Sequence, residues 1–439
     1  MNENRKTLGQ LFFPICLEIL LFMLTGAIDT LMLSSVGDQA VAAVGTANTY
    51  IGMFILMFSI ISSGMMAVMT QNIGAGKPGV ACQASRVGAI FNGILGIILG
   101  IILVVFGENV LEIVGVAGAL KEPAAIYLKI VGGSCFLNAV VPIYSGYLRA
   151  FGHMKPPLYG TIFANITNLI LNAIFLYVFH MGVAGVAIAT VISRILNLAI
   201  VYIASRILIK AHDEESYLPT IQVLKQIVKI GLPSAMETAL YNLAMTFIMR
   251  FLNQMDAEGI NVAVRSYASV ITNFSYSVAA ALASANAIIT GWHMGAEEYE
   301  ECEKGTRKAV IIGILCATLI ETLFAVSAEI IMPFFTDDPI VIELVKKVLF
   351  VDIILEVGRV TNIVYVNALK VCGDVVYPVI MATIFMFLCA VGGTYFFGIR
   401  LEMMVVGAYI GLASDECVRA IAMVLRWKTG IWKTKRIVQ

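Results

Sequence analysis

The sequence predicts an all-α integral membrane protein, with twelve transmembrane helices arranged as two parallel six-helix repeats. Two observations carry that prediction. Of the 439 residues, 59% are hydrophobic and only 13% are charged, whereas a soluble domain carries about 25% charged residues. The solvent of such a chain is a bilayer, which apolar runs of about 20 residues can cross. The chain also repeats itself at an offset of roughly 220 residues. Pro14 with Glu18 returns as Pro233 with Glu237, and Gly74-Ala75 returns as Gly295-Ala296. Leu148-Arg149, Gly152 and Pro157 return in the same order as Leu369-Lys370, Gly373 and Pro378.

The apolar runs lie near residues 11–34, 45–71, 86–106, 124–147, 159–179 and 184–208, then 226–252, 262–290, 308–331, 341–369, 377–398 and 403–426. Each half holds an even number of runs, so it starts and ends on the same side of the membrane. That makes the repeat parallel, related by an axis along the membrane normal. The expected organisation is an N-terminal six-helix lobe at 1–208, a cytoplasmic linker at 209–224 and a C-terminal six-helix lobe at 225–439. The linker is the one hydrophilic stretch of that length and carries Asp213, Glu214, Glu215 and Pro219. A repeat of this kind in so apolar a chain points to a transporter whose binding site lies between two halves.

Basic residues set the orientation, because cytoplasmic loops collect Lys and Arg. Arg5, Lys6, Lys77, Arg86, Arg149, Lys155, Arg206, Lys210, Lys225 and Lys229 fall on one side, with Lys304, Arg307, Lys308, Lys370, Lys428, Lys433, Lys435 and Arg436. The other side has Lys121, Lys129, Arg250, Arg265, Lys346, Lys347 and Arg400. The first set is cytoplasmic, which puts both termini inside a cell (inner) membrane. The first apolar run is too long for a cleavable signal peptide and lacks a small-x-small site after it.

Other chemistry is excluded in turn. The eight cysteines are scattered without a C-x2-C pair, so neither disulfides nor a structural metal site is expected. His153, His180, His212 and His293 have no ligand spacing. Gly74-Ala75-Gly76-Lys77 lacks the frame of a phosphate-binding loop and reads as a cytoplasmic turn. No nucleophile motif is present, so the chain is not expected to be an enzyme. It needs no cofactor and binds no nucleic acid.

Polar side chains inside the spans carry the mechanism. A charge at a helix centre costs roughly 2.5–3.5 kcal/mol, so a retained one faces a cavity or a partner. The first helix carries Glu18, Thr25 and Asp29, spaced to share one face at 3.6 residues per turn. The fifth carries Asn165, Asn168 and Asn172, again on one face, and Thr190 of the sixth can add a hydroxyl. Such a stripe is either the wall of a hydrated pocket or glue between helices. In the second half, helix ten holds Asp352, Glu356 and Arg359, and helix twelve holds Asp415, Glu416 and Arg419. Glu356–Arg359 and Asp415–Arg419 have pairing distances. Asp415 and Glu416 are not expected to share Arg419, which leaves Arg359 as a partner across the helices. This network is either a structural brace or a second cation site. Glu18 and Glu237, with Thr25, are candidate substrate contacts, and the two glutamates are alternatively caps near the proline kinks.

Several motifs recur together: Pro14 with Asp29-Thr30 in the first helix, Gln71-Asn72-Ile73-Gly74-Ala75-Gly76 at the end of the second, and Asn168 with Asn172 in the fifth. Gly182-Val183-Ala184-Gly185 and Ala189-Thr190 mark the sixth. Over essentially its whole length the chain resembles the multidrug and toxic compound extrusion (MATE) transporters. Asp415-Glu416-x2-Arg419 with Arg426-Trp427 and Trp432 is similar to a bacterial branch close to the DinF type. The resemblance implies V-shaped lobes around a central cavity, and an antiporter that exports organic cations and drugs in exchange for H+ or Na+. It implies a monomer in the bilayer, and an ion-coupling pocket at Asp29, Asn168, Asn172 and Thr190, where Na+ would sit at Asp29. The family has a second carboxylate where this chain has Asn172, so the pocket loses one negative charge and pulls less on sodium. The helix-ten carboxylate of another branch aligns with Arg359, so that site is not expected here. A flippase for lipid-linked precursors or polysaccharide, from the same superfamily, is the alternative. It would be expected to line its cavity with bases, and Arg194 is the lone buried cation in the first lobe. A channel is disfavoured because Asp29 has Ile248 at its repeat position.

Overall fold

Apolar runs broken only by Gly, Pro and polar turns wind into long rods, since in hydrocarbon every backbone amide must be bonded within its own segment. The computed structural model describes residues 6–113, 116, 118–210, 218–256 and 259–438. No strand occurs among them. Arg5, His212 and the acids Asp213, Glu214 and Glu215 of the expected linker lie outside the described residues.

Twelve long rods follow one another. In the first half they are α1 (Leu8–Ser34), α2 (Asp38–Gly74), α3 (Pro78–Ile113) and the composite α4. α4 runs as Gly118–Tyr127, a π-helical turn Leu128–Gly132, and Cys135–Ala150. α5 is Lys155–Ala173 continued by a π-helical turn Ile174–Val178, and α6 is Gly182–Leu208. In the second half come α7 (Thr220–Met255), α8 (Ile260–Gly295), α9 (Tyr299–Val326) and α10 (Pro339–Cys372). α11 is Val376–Phe385 continued through π-helical stretches Met386–Val391 and Thr394–Arg400, and α12 is Met404–Lys428. The wide turns recur at the outgoing ends of α5 and α11, so the repeat extends to backbone irregularities.

Eight of these rods are apolar and long enough to cross a membrane on their own: α1, α2, α3, α5, α6, α8, α9 and α11. The two parts of α4 meet at 42° and make a ninth. The other three, α7, α10 and α12, have 36, 34 and 25 residues. They are held back on composition by charges, and the charges of α10 and α12 turn inward: Asp352, Glu356, Asp415, Glu416 and Arg419 are all buried. Large apolar side chains face outward instead, such as Phe22 at 75%, Ile207 at 73% and Leu319 at 71% exposure. That inversion of a soluble protein is what a lipid environment requires.

The chain forms two compact units, one holding Leu17–Leu232 and the other Thr7–Cys16 with Pro233–Gln439. The first helix of each half therefore changes unit close to its proline, Pro14 in α1 and Pro233 in α7. Proline removes one backbone bond and tolerates a bend without ending a membrane helix. Inside each unit, glycines let helices touch backbone to backbone. A Cβ on Gly96 of α3 would stand 2.5 Å from the Phe136 Cα of α4, and one on Gly411 of α12 would stand 2.7 Å from the Thr394 nitrogen of α11.

One ion pair is written twice. Glu18 Oε1 of α1 meets Arg149 Nη2 of α4 at 2.6 Å, and Glu237 Oε2 of α7 meets Lys370 Nζ of α10 at 2.8 Å. All four side chains are between 16% and 23% exposed. The repeat marks found in sequence thus bond to each other, tying the first helix of each half to its fourth. Breaking either pair by Glu18→Gln or Glu237→Gln is expected to cost on the order of 2 kcal/mol, between the exposed and fully buried cases. Thermal unfolding in detergent checks this: Tm falls for each single variant, and the swap Glu237→Lys with Lys370→Glu recovers most of the loss.

Candidate functional site

In the first unit, α1 and α5 run side by side in the same direction and meet at two levels. Asn165 Nδ2 donates to the Leu21 carbonyl at 3.1 Å, and two turns further on Asn172 Nδ2 donates to Asp29 Oδ1 at 2.7 Å. Asn172 Nδ2 also reaches Asn168 Oδ1 at 3.1 Å. Asn168 and Asn172 are 4% and 0% exposed, and the Asn172 carbonyl oxygen is buried without a partner. The helical spacing that placed three amides on one face therefore delivers two of them to a carboxylate.

Thr190 is close by but bonded differently. Its hydroxyl donates to the Val186 carbonyl of its own helix at 2.8 Å, and it bonds the Tyr127 hydroxyl, which also meets Asn48. Arg194, one turn along α6, acts electrostatically on Asp29, Tyr127 and Cys135, and its Nη1 is enclosed without a hydrogen-bond partner. Tyr127 was not singled out by sequence, because a tyrosine at the end of an apolar run carries no pattern until α4 and α6 are packed together. Thr25 donates its hydroxyl to the Leu21 carbonyl of its own helix at 2.8 Å.

The second unit gathers its charges around a cavity of about 550 Å3, whose walls include Glu237, Tyr241, Arg265, Asp352, Asp415 and Arg419. Arg419 donates to Asp415 through Nε at 3.0 Å and Nη2 at 2.6 Å, and its Nη2 also lies 2.8 Å from Glu416 Oε1. This corrects the expectation that the two acids cannot share one arginine. Residues three and four positions before Arg419 flank the same helical face, and a guanidinium fork has donors for both. Arg359 reaches α12 only electrostatically, acting on Glu416 with no ion pair or hydrogen bond to it among the described residues. Asn362 Nδ2 donates to Glu416 Oε2 at 2.9 Å, while Arg359 bonds Glu356 of its own helix.

Sequence reasoning missed Glu321 of α9, which is 0% exposed. Carboxylate oxygens of Glu321, Asp352 and Glu356 lie within 4.8 Å of one another. Its signal was an acid in the middle of the run 308–331, with its partners on other helices.

The chain matches the MatE family model twice, over residues 14–174 and again over 233–396, which is the repeat seen as two copies. The uncharacterized transporter YisQ of Bacillus subtilis is 32% identical, over 99% of this chain and 96% of the relative. The probable multidrug resistance protein NorM of Thermotoga maritima is 23% identical, over 99% of this chain and 95% of its own. A crystal structure of the MATE transporter VcmN of Vibrio cholerae, in an aspartate-to-asparagine variant, superposes with a TM-score of 0.88. It is 20% identical and covers 97% of this chain and 96% of that one, so it bears out the twelve-helix fold. Both halves of the sequence, a relative of the same length and the common architecture agree: the chain belongs to the MatE family of membrane transporters, the MATE transporters, and is not an enzyme.

Proposed function

We propose that this protein is a secondary antiporter of the cell membrane that exports organic cations in exchange for H+ or Na+, with coupling at Asp29. The observation that carries the reading is the Asp29–Asn172–Asn168 chain of hydrogen bonds on the inward faces of α1 and α5. An antiporter needs one site whose occupancy by ion and by substrate disfavour each other. An ionised Asp29 attracts a cationic substrate; a neutralised one does not and is cheaper to bury. Asn172 presents its NH2 to Asp29, a donor rather than another acceptor, which withholds an oxygen ligand from sodium there.

Glu237 and three tyrosines, Tyr241, Tyr276 and Tyr409, line the second unit's cavity with Met245 and Met386. Aromatic faces and flexible thioethers suit flat organic cations of varied shape. Thr25 and Glu18 are the candidate substrate contacts on α1, and Thr190 braces the coupling pocket through Tyr127. Arg419 with Asp415 and Glu416 on α12, tied to α10 through Asn362, serves as a brace for the second unit. The chain is read as a monomer of the branch close to the DinF type, divided at 209–224, with both termini cytoplasmic.

Ethidium transport into and out of proteoliposomes tests the reading under a proton gradient alone and a sodium gradient alone. The wild type is expected to move ethidium with the proton gradient, and Asp29→Asn to lose at least about tenfold, the equivalent of 1.4 kcal/mol. Full transport by Asp29→Asn refutes coupling at that residue. No gradient-driven movement in the wild type favours the flippase of lipid-linked precursors. Asn172→Asp restores a second carboxylate beside Asp29 and is expected to make transport more responsive to sodium, which the same assay reads as a larger rate under the sodium gradient.

A further inference from the structure

We propose that Glu321, Asp352 and Glu356 form a second cation site, enclosed within the second unit, that holds a proton shared between Asp352 and Glu321. The three carboxylates are each 0% exposed and lie together, with oxygens within 4.8 Å of one another. They are not equally provided for. Glu356 has Arg359 Nη1 on one oxygen and the Ser275 hydroxyl of α8 on the other, at 3.2 Å. Asp352 has no donor on either oxygen, and Glu321 has only that same Ser275 hydroxyl beside it. An ionised carboxylate enclosed without donors loses its hydration and gains nothing in return. Two such groups side by side repel as well, the circumstance in which a carboxyl pair keeps one proton.

The surroundings deepen the deficit of positive charge. Asp352 faces Glu356 and Arg359 on its own helix and Glu416 and Tyr409 from α12. Glu321 on α9 faces Asp352, Glu356 and Arg359. Beyond them Arg419 is already taken by Asp415 and Glu416. With Arg265, which lines the same cavity beside Tyr409, three guanidiniums stand against five buried carboxylates. A cation must enter, and a proton is the one that needs no ligand shell. Asp352 also lines the cavity of about 550 Å3, which gives the proton a polar route to the pair.

The cluster is not a by-product of the repeat. At the offset that relates Gly74 to Gly295, its positions in the first unit are Gly100, Val131 and Cys135. Conversely, Asp29 answers to Ile248, which is 0% exposed in an apolar core. Each half thus carries one acidic site where the other is apolar. The inference goes beyond the antiport reading and does not rest on it, because proton occupancy can be read in protein that transports nothing.

Infrared difference spectroscopy of the reconstituted full-length protein, in H2O against D2O, tests it through the carbonyl stretch of a buried protonated carboxyl at neutral pH. The expected result is a band in the wild type that shifts in Asp352→Asn and in Glu321→Gln and is lost in the double variant, but survives in Asp29→Asn. A spectrum unchanged by the double substitution overturns the proposal. So does a wild-type band that disappears when potassium in the buffer is replaced by sodium or calcium, which would make the ligand a metal ion. That second arm uses wild-type protein alone, so it decides even where the double variant does not fold.

Discussion

The expense of a charge in hydrocarbon governs this molecule. Every ionisable side chain in a span must turn inward, and there it must find a partner, a proton or water. The consequences run through both units. Arg419 holds two acids of its own helix, Glu18 and Glu237 tie first helices to fourth ones, and Asp29 rests against the amide of Asn172. Because outward faces are already apolar, packing between rods relies on small residues, and glycines at the α3–α4 and α11–α12 contacts bring backbones together.

Duplication supplied a symmetric scaffold, and function broke the symmetry. The Glu–base pair survives in both halves and does the same structural task in each. The acids with chemistry do not: Asp29 and Asn172 have Ile248 and Gly393 as counterparts, whereas Glu321, Asp352 and Glu356 have Gly100, Val131 and Cys135. An alternating-access carrier needs a scaffold that can take two states and an ion site that senses one of them. Pro14 and Pro233, near the points where α1 and α7 pass from one compact unit to the other, make a bend tolerable in each of the two helices that do so.

Much of this was legible in the sequence because membrane helices obey a simple rule of spacing. Asn165, Asn168 and Asn172 recur at helical intervals, so their shared face followed before any packing was known, and two of them do reach α1's carboxylate. The twelve rods followed from apolar runs, including α10 and α12, whose charges make them poor spans by composition yet are buried. What was not legible depends on neighbours across helices. Glu321 stood mid-way along an apolar run with no acid at helical spacing, and its companions belong to α10. Tyr127 joined the first pocket only through Thr190 and Asn48. The sharing of Arg419 was misjudged because two acids three and four residues away were treated as rivals, when a guanidinium has donors for both.

The central claim is that one carboxylate, Asp29, is where the ion and the organic cation exclude each other. Proton release on adding tetraphenylphosphonium to the purified protein in weakly buffered detergent solution tests it most directly. The account predicts that binding of the cation by the wild type releases protons and that Asp29→Asn releases none. Equal release by the variant would contradict it, and would place the competition elsewhere in the molecule.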